Sequence, residues 1–240
     1  MKIQLALLAV SVALVACSSN SSQDSGLQGP GQTDPQVETN PYGAAYPTTN
    51  LGIYARHNNV AGNVIQNFKF LGYQATADSS SVLDTTKPLT SIPLSDYFDP
   101  QQKLGPNGPG IKVIHLSVAA VWCVPCNNET DDTEKVAAGL TAQGVVFIQA
   151  IDDGPAQGTP ATTTDLNNWV AKHKSNFTEM LDPGLRNLGQ FFDAAAVPFN
   201  ANIDARSMEI LSAGVGEPAS VTADVTRWVT WVNANAPSGS

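Results

Sequence analysis

Apolar positions change their spacing along the chain, and each change marks a boundary. Residues 3–16 (IQLALLAVSVALVA) form a nearly unbroken apolar run behind Lys2. Residues 18–50 are dominated by Ser, Gly, Pro, Asn and Gln and hold no Lys or Arg. So few apolar residues cannot bury enough surface to offset the entropy of ordering the chain. From Leu51 the pattern is that of a folded domain. Residues 63–74 (NVIQNFKFLGYQ) alternate in part and predict a strand, as one arm of a hairpin. Residues 92–100 (IPLSDYFDP) predict a short helical turn opened by Ser95, and 101–110 (QQKLGPNGPG) a loop. Residues 111–121 (IKVIHLSVAAV) have the length and near-continuous hydrophobicity of a buried central strand.

Beyond a pair of cysteines, residues 127–144 predict a helix with acids crowding its first turns and Gly144 closing it. A second buried strand is expected over 145–153 (VVFIQAIDD), then helices over 162–176 and 182–193. Residues 198–216 predict a hairpin turning near Asp204-Ala205-Arg206. The closing helix, 217–236, places Val221, Val225, Trp228 and Val232 on one face. This order predicts an α/β fold, a central mixed β-sheet with helices on both faces.

Composition removes some functions. The 240 residues suffice for one domain with extensions, and a 42% apolar share suffices for its core. The net charge is −9 and the Lys and Arg residues are scattered, so no nucleic-acid partner is expected. The apolar run behind Lys2 is short for a bilayer span and has the build of a secretory signal. It ends in Leu14-Val15-Ala16-Cys17, which resembles the lipobox of bacterial lipoproteins. That resemblance implies cleavage before Cys17, diacylglycerol on its sulfur and a further acyl chain on the new amino group, enough for stable anchoring. Ser18, rather than Asp, leans toward the outer membrane; the alternative is a conventional signal peptide with a spare Cys17. The expected organisation is a signal peptide over 1–16, a lipidated Cys17 with a flexible polar tether over 17–50, and a domain over 51–240. The expected site is the bacterial cell envelope, lipid-anchored and facing the periplasm. The Pro- and Tyr-rich end of the tether, NPYGAAYPTTN, is placed to touch the domain.

If Cys17 carries lipid, Cys123 and Cys126 are the remaining thiols, in a compartment where disulfides persist. They stand in AAVWCVPCNNET, at the junction of the central strand and the following helix. A nucleophilic thiol must ionise near neutral pH, well below its free value of ~8.5, and unpaired N–H groups at a helix N-terminus favour the anion. Two intervening residues bring the second thiol alongside the first for resolving a mixed disulfide. Pro125 stiffens that first turn without losing a needed N–H. Cys123 is thus expected as the exposed nucleophile and Cys126 as the more buried resolving thiol.

WCVPC after a hydrophobic strand, with AVPFNANID some seventy positions on, resembles the thioredoxin-like superfamily. Glu129 completes the CxPCxxE pattern of its TlpA-like and redoxin branch of bacterial envelope thiol–disulfide oxidoreductases. The resemblance spans roughly residues 60–235. It implies a thioredoxin-like fold and a cis Val197-Pro198 facing the dithiol. Cys123, Cys126, Pro198 and Trp122 would be catalytic, and Val197, Pro198 and Pro125 would bind substrate. It further implies protein thiol or disulfide substrates, an upstream redox partner, and no dissociable cofactor beyond the Cys123–Cys126 disulfide. Two positions depart from the pattern. Ser117 stands where many thioredoxins have a buried Asp, and Thr130 where the branch often has Pro. Uncharged Val124-Pro125 and the acids Glu129, Asp131 and Asp132 favour a reducing couple.

Other readings carry less. An inert staple gains little entropy across so short a loop. Zinc wants two more ligands, with His57, His115 and His173 as the only histidines, so no metal site is expected. A non-catalytic thioredoxin-like lipoprotein that binds partners or handles copper is the alternative function, though related copper carriers add a late His that is missing here. A peroxidatic Cys123 would want Thr at position 120, which is Ala. His115 reads as a core histidine, and Asp152-Asp153 as caps or solvent-facing acids.

Overall fold

Seven residues, Val113–Ala119, form strand β3, and every one of them is buried. A strand covered on both faces has no use for alternation, which explains its near-continuous run of apolar residues. Eleven further elements surround it in the computed structural model, which describes residues 38–48, 59–105, 110–190 and 196–235. The strands are β1 (Lys69–Tyr73), β2 (Thr90–Pro93), β4 (Val145–Ile151), β5 (Thr178–Leu181), β6 (Phe199–Asp204) and β7 (Glu209–Val215). The α-helices are α1 (Val124–Thr141), α2 (Thr163–His173) and α3 (Val221–Ala234), with 3-10 turns at Leu94–Tyr97 and Leu188–Gln190. The seven strands form one mixed sheet in the order β2-β1-β5-β4-β3-β6-β7.

Strands β3, β4 and β5 are parallel and lie side by side. Two successive crossovers stepping in the same direction, both right-handed, must put α1 and α2 on the same face. The side chains agree. Ala119, Ile151 and Leu181 pack with Leu166, Trp169 and Val170 of α2 and with both cysteines. Val113, Val145 and Phe147 of the same face pack with Ala137 and Leu140 of α1 and with Val221, Val225, Val229 and Val232 of α3. The opposite residues, among them Ile114, Leu116 and Val118, pack with Tyr46, Phe68, Leu94, Tyr97 and Leu188. Helical elements therefore lie on both faces, but unequally: three α-helices on one and the 3-10 turns with irregular chain on the other.

A buried polar row separates the two clusters on the α-helical face. Register aligns Glu179, Gln149, Ser117 and Asn200 across β5, β4, β3 and β6, and all four are buried. Buried polar groups need partners. Gln149 Oε1 accepts from Thr130 Oγ1 of α1 and Trp169 Nε1 of α2, both at 3.0 Å, while its Nε2 donates to Ser117 Oγ at 3.2 Å. Ser175 Oγ donates to Glu179 Oε1 at 2.9 Å, and Asn200 reaches Glu129. The row pins α1 and α2 to the sheet at a defined height.

Local rules account for most element ends. Thr162 and Asp165 form a capping box at the start of α2, each accepting from the other's backbone N–H. Gly144 closes the α1–β4 turn at φ +94°, a conformation open to glycine. Three expectations are corrected. Helix α1 begins at Val124, so its first turn holds no acid and Glu129 lies deeper in the helix. The face of α3 buries Val229 together with Val221, Val225 and Val232, whereas Trp228 is partly exposed with its Nε1 donating to Ser212. Where a helix was expected over 182–193, the described part holds only the Leu188–Gln190 turn, because Asp182 accepts the N–H groups of Asn187 and Leu188 at 2.8 Å and coils the chain around itself. Strands β2 and β5 were not anticipated; each has only four residues.

Candidate functional site

The site lies where β3 ends and α1 begins. Cys123 is the N-cap of α1, and its Sγ accepts the Cys126 N–H at 3.1 Å. The sulfur thus occupies the place of a capping oxygen, at the electropositive end of the helix. Cys123 and Cys126 are joined in a disulfide with an S–S distance of 2.07 Å. Val124 and Pro125 fill the first turn between them and are exposed.

Val197-Pro198, at the entry to β6, is cis. The Val197 carbonyl oxygen lies 3.7 Å from Cys123 Sγ, so the strand opposite α1 reaches the dithiol. Trp122 is half-buried against the same cluster, and its Nε1 donates to Asp153 Oδ2 at 3.1 Å. The same carboxylate oxygen accepts the Gly158 N–H at 2.6 Å, which ties Trp122 to the loop after β4. Of the residues singled out from sequence, Trp122, Cys123, Pro125, Cys126, Val197 and Pro198 come together here. Cys17 lies outside the described residues.

Cys123 was expected to be exposed, yet both cysteines are covered, at 2% and 0% exposure. Val197 and Trp122 pack over that cluster. The two sulfurs therefore differ by their place on the helix more than by accessibility. Cys123 caps the N-terminus, whereas Cys126 faces the interior.

Glu129, three residues beyond Cys126, is 1% exposed. Its Oε2 accepts from Asn200 Nδ2 at 3.0 Å, and its Oε1 finds no hydrogen-bond partner among the described residues. Burial first, then the nearby charges of Glu217 and Asp224, push its pKa up to about 8 against the favourable hydrogen bond from Asn200. Asp152, expected as a cap or solvent-facing acid, is instead 3% exposed and pushed up to about 7, mainly by burial. His115 is a core histidine with Nδ1 2.9 Å from Asn202 Oδ1, and burial lowers its pKa.

Two asparagines escaped the sequence reading. Asn127 donates to the carbonyl of Cys123 at 2.7 Å and receives Lys172 Nζ, linking the cap to the end of α2. Asn200 carries Glu129. The available signal was the alternation in FNANID, whose polar positions read as a solvent face but lie beneath the helices. Among the described residues, no group of three or more His, Cys, Asp or Glu side chains is arranged to hold a metal ion, and no helix is long and apolar enough to cross a membrane.

No protein-family model and no curated protein matches the chain. Among solved structures, it is similar to a protein from Chlorobium tepidum described as thiol:disulfide interchange protein DsbE. The TM-score is 0.50 and the identity 17%, over 72% of this chain and 97% of that one. A secreted thiol-disulfide isomerase from Corynebacterium glutamicum superposes with a TM-score of 0.49 and 16% identity, over 70% of this chain and 86% of that one. The chain has the thioredoxin-like fold, with its CxxC disulfide seated where the central strand hands over to the first helix.

Proposed function

We propose that the protein is a thiol–disulfide oxidoreductase of the bacterial cell envelope, in the TlpA-like branch, that exchanges disulfides with protein substrates and works mainly as a reductase. The observation that carries this reading is the position of Cys123 Sγ, which caps α1 and faces the Val197 carbonyl.

In the reduced protein, the Cys123 thiolate attacks one sulfur of a substrate disulfide. The substrate S–S bond breaks, its second sulfur leaves as a thiolate, and a mixed disulfide forms. Glu129, on the interior side of α1, takes the proton of the Cys126 thiol. Cys126 then attacks Cys123 Sγ, the bond to substrate breaks, and the substrate leaves as a dithiol. The protein is left with the disulfide seen here and is recharged by an upstream dithiol. Val197 and Pro198 offer backbone to the substrate chain, Pro125 presents an apolar edge, and Trp122 shapes the entrance.

The charges at hand support the reducing direction. A strong oxidant needs a highly stabilised thiolate. Here the residues between the cysteines are uncharged, and what favours the anion is the place of Cys123 Sγ as the cap of α1. Cys17, with its acyl chains, anchors the protein to the membrane.

The test is insulin reduction with dithiothreitol as electron source. Cys123→Ser should lose the catalysed rate, and Cys126→Ser should accumulate mixed disulfides visible on non-reducing gels. A Cys123→Ser variant as active as the unaltered protein would overturn the proposal.

A further inference from the structure

Glu129 sits beside a cleft that belongs to no part of the dithiol entrance. The cleft, of about 230 Å³, opens between β7 and the start of α3 and is lined by Asn200, Asn202, Ser212, Gly214, Glu217 and Asp224 among others. None of Trp122, Cys123, Val197 or Pro198 lines it. Asn200 is shared between the two places. Its Nδ2 donates to Glu129 Oε2 at 3.0 Å and to the Gly216 carbonyl at 3.2 Å. Those two acceptors fix the amide orientation and leave Asn200 Oδ1 turned away from them.

Asn200 Oδ1 and Glu129 Oε1 are both buried, and neither has a partner among the described residues. Each such atom has given up its solvation without a hydrogen bond in return. A pair of them beside an open cleft is the arrangement expected where water or a proton passes. In the mixed disulfide, moreover, the substrate covers Cys123 while the resolving thiol gives up its proton. A proton leaving by the entrance would meet the substrate, whereas the cleft stays open.

Resting on the reading of Glu129 as base for Cys126, we propose that its proton exchanges with solvent through the β7–α3 cleft, with Asn200 as the positioning residue that orients the carboxylate and sets how tightly it holds that proton. The transfer is balanced. The Cys126 S–H proton moves to the Glu129 carboxylate, leaving a thiolate, and the Glu129 carboxyl then yields the proton to water in the cleft.

The charged groups around Glu129 agree with this route. From α3 comes Asp224, paired with Arg227 at 2.6 Å, and from the β7–α3 connection comes Glu217. On the β3 side His115, whose pKa burial lowers, faces Asn202 and Asn200 and feels Asp224. From β4 comes uncharged Gln149, and from α1 itself the two sulfurs. The acids that raise the proton affinity of Glu129 thus line the cleft.

The resolution step can be followed by stopped-flow fluorescence, mixing reduced protein with a disulfide-bonded peptide from pH 5 to pH 10. Asn200→Leu removes the hydrogen bond to the carboxylate and should move the inflection of the rate up by about 1 pH unit, a tenfold change in proton affinity. Gly214→Ile leaves the Asn200–Glu129 pair in place and narrows the cleft. A Cβ at Gly214 meets nothing within 4 Å and its φ is not in the left-handed region, so the variant should fold. It should slow resolution several-fold with the inflection unmoved. An unshifted inflection in Asn200→Leu, or an unchanged rate in Gly214→Ile, overturns the route while Glu129→Gln abolishes the inflection. If Glu129→Gln keeps the inflection, the base itself is misassigned and the route falls with it, whereas the oxidoreductase reading stands or falls with Cys123→Ser.

Discussion

Glu129 shows how one residue can carry both a cost and a function. Its carboxyl has an ordinary pKa of 4.5 and is pushed up to about 8 in the folded chain, chiefly by burial. The folded state therefore holds a proton that the unfolded chain releases. That contribution is fully present below pH 4.5 and is lost as pH rises through about 8. Urea unfolding at pH 5 and pH 9 should show Glu129→Gln gaining on the unaltered protein by on the order of 3 kcal/mol between the two. Asp152 and Glu179, both raised by burial, add the same slope to both proteins, so the difference isolates Glu129. Parallel pH curves for the two proteins would show that the carboxyl is not held protonated. Sequence marked Glu129 through the CxPCxxE resemblance and as one of the acids that follow the dithiol, and gave no warning of its burial.

At the scale of elements, β5 is where the reading from sequence fell short and where a neighbouring backbone approaches closely. Four residues, TEML, carry too little pattern to be told from a loop, and the strand exists because it pairs with β4 on one side and β1 on the other. Gly72 of β1 makes that pairing possible. A Cβ there would stand 2.3 Å from the Glu179 carbonyl oxygen and 2.6 Å from Met180 Cα, both backbone atoms that cannot swing away. Gly72→Ala should cost ~3 kcal/mol and raise hydrogen exchange in β1 and β2 before it does in β3. A variant that melts with the unaltered protein would mean that β1 docks loosely. The caps behave more locally. Thr162→Ala removes one half of the α2 capping box and should cost ~1 kcal/mol, read as a shift in the urea midpoint.

The whole molecule is completed by residues 38–48, most of them in the Pro- and Tyr-rich end of the tether that the sequence places against the domain. Tyr46 is 3% exposed, packs edge-on against Phe98, and donates its hydroxyl to the Ile65 carbonyl at 3.0 Å. Asn40 Nδ2 donates to the Phe98 carbonyl at 2.8 Å, and Tyr42 Oη donates to Asp99 Oδ1 at 2.8 Å. These contacts cover the sheet face opposite the three α-helices. Burying Tyr46 alone is worth ~2 kcal/mol. A protein starting at residue 38 should keep its melting temperature, whereas one starting at residue 49 should lose about 5 °C or more. Equal melting temperatures for the two would show that residues 38–48 contribute nothing to the fold.

Sequence by itself determined the central strand, the dithiol at its end, the helices behind it and the closing hairpin with its helix. Each of these rests on local physics: a run of apolar residues long enough to be covered on both faces, a cap, a glycine, a period of 3.6 or 2. Tertiary structure alone decided the rest. Short strands such as β2 and β5 depend on partners far away in the chain. Placing α1 and α2 on the same face depends on the order of the strands, which no single segment encodes. The polar row beneath the helices, and Asn200 within it, depend on register across four strands, because alternation reports that a strand has two faces but not which of them is buried.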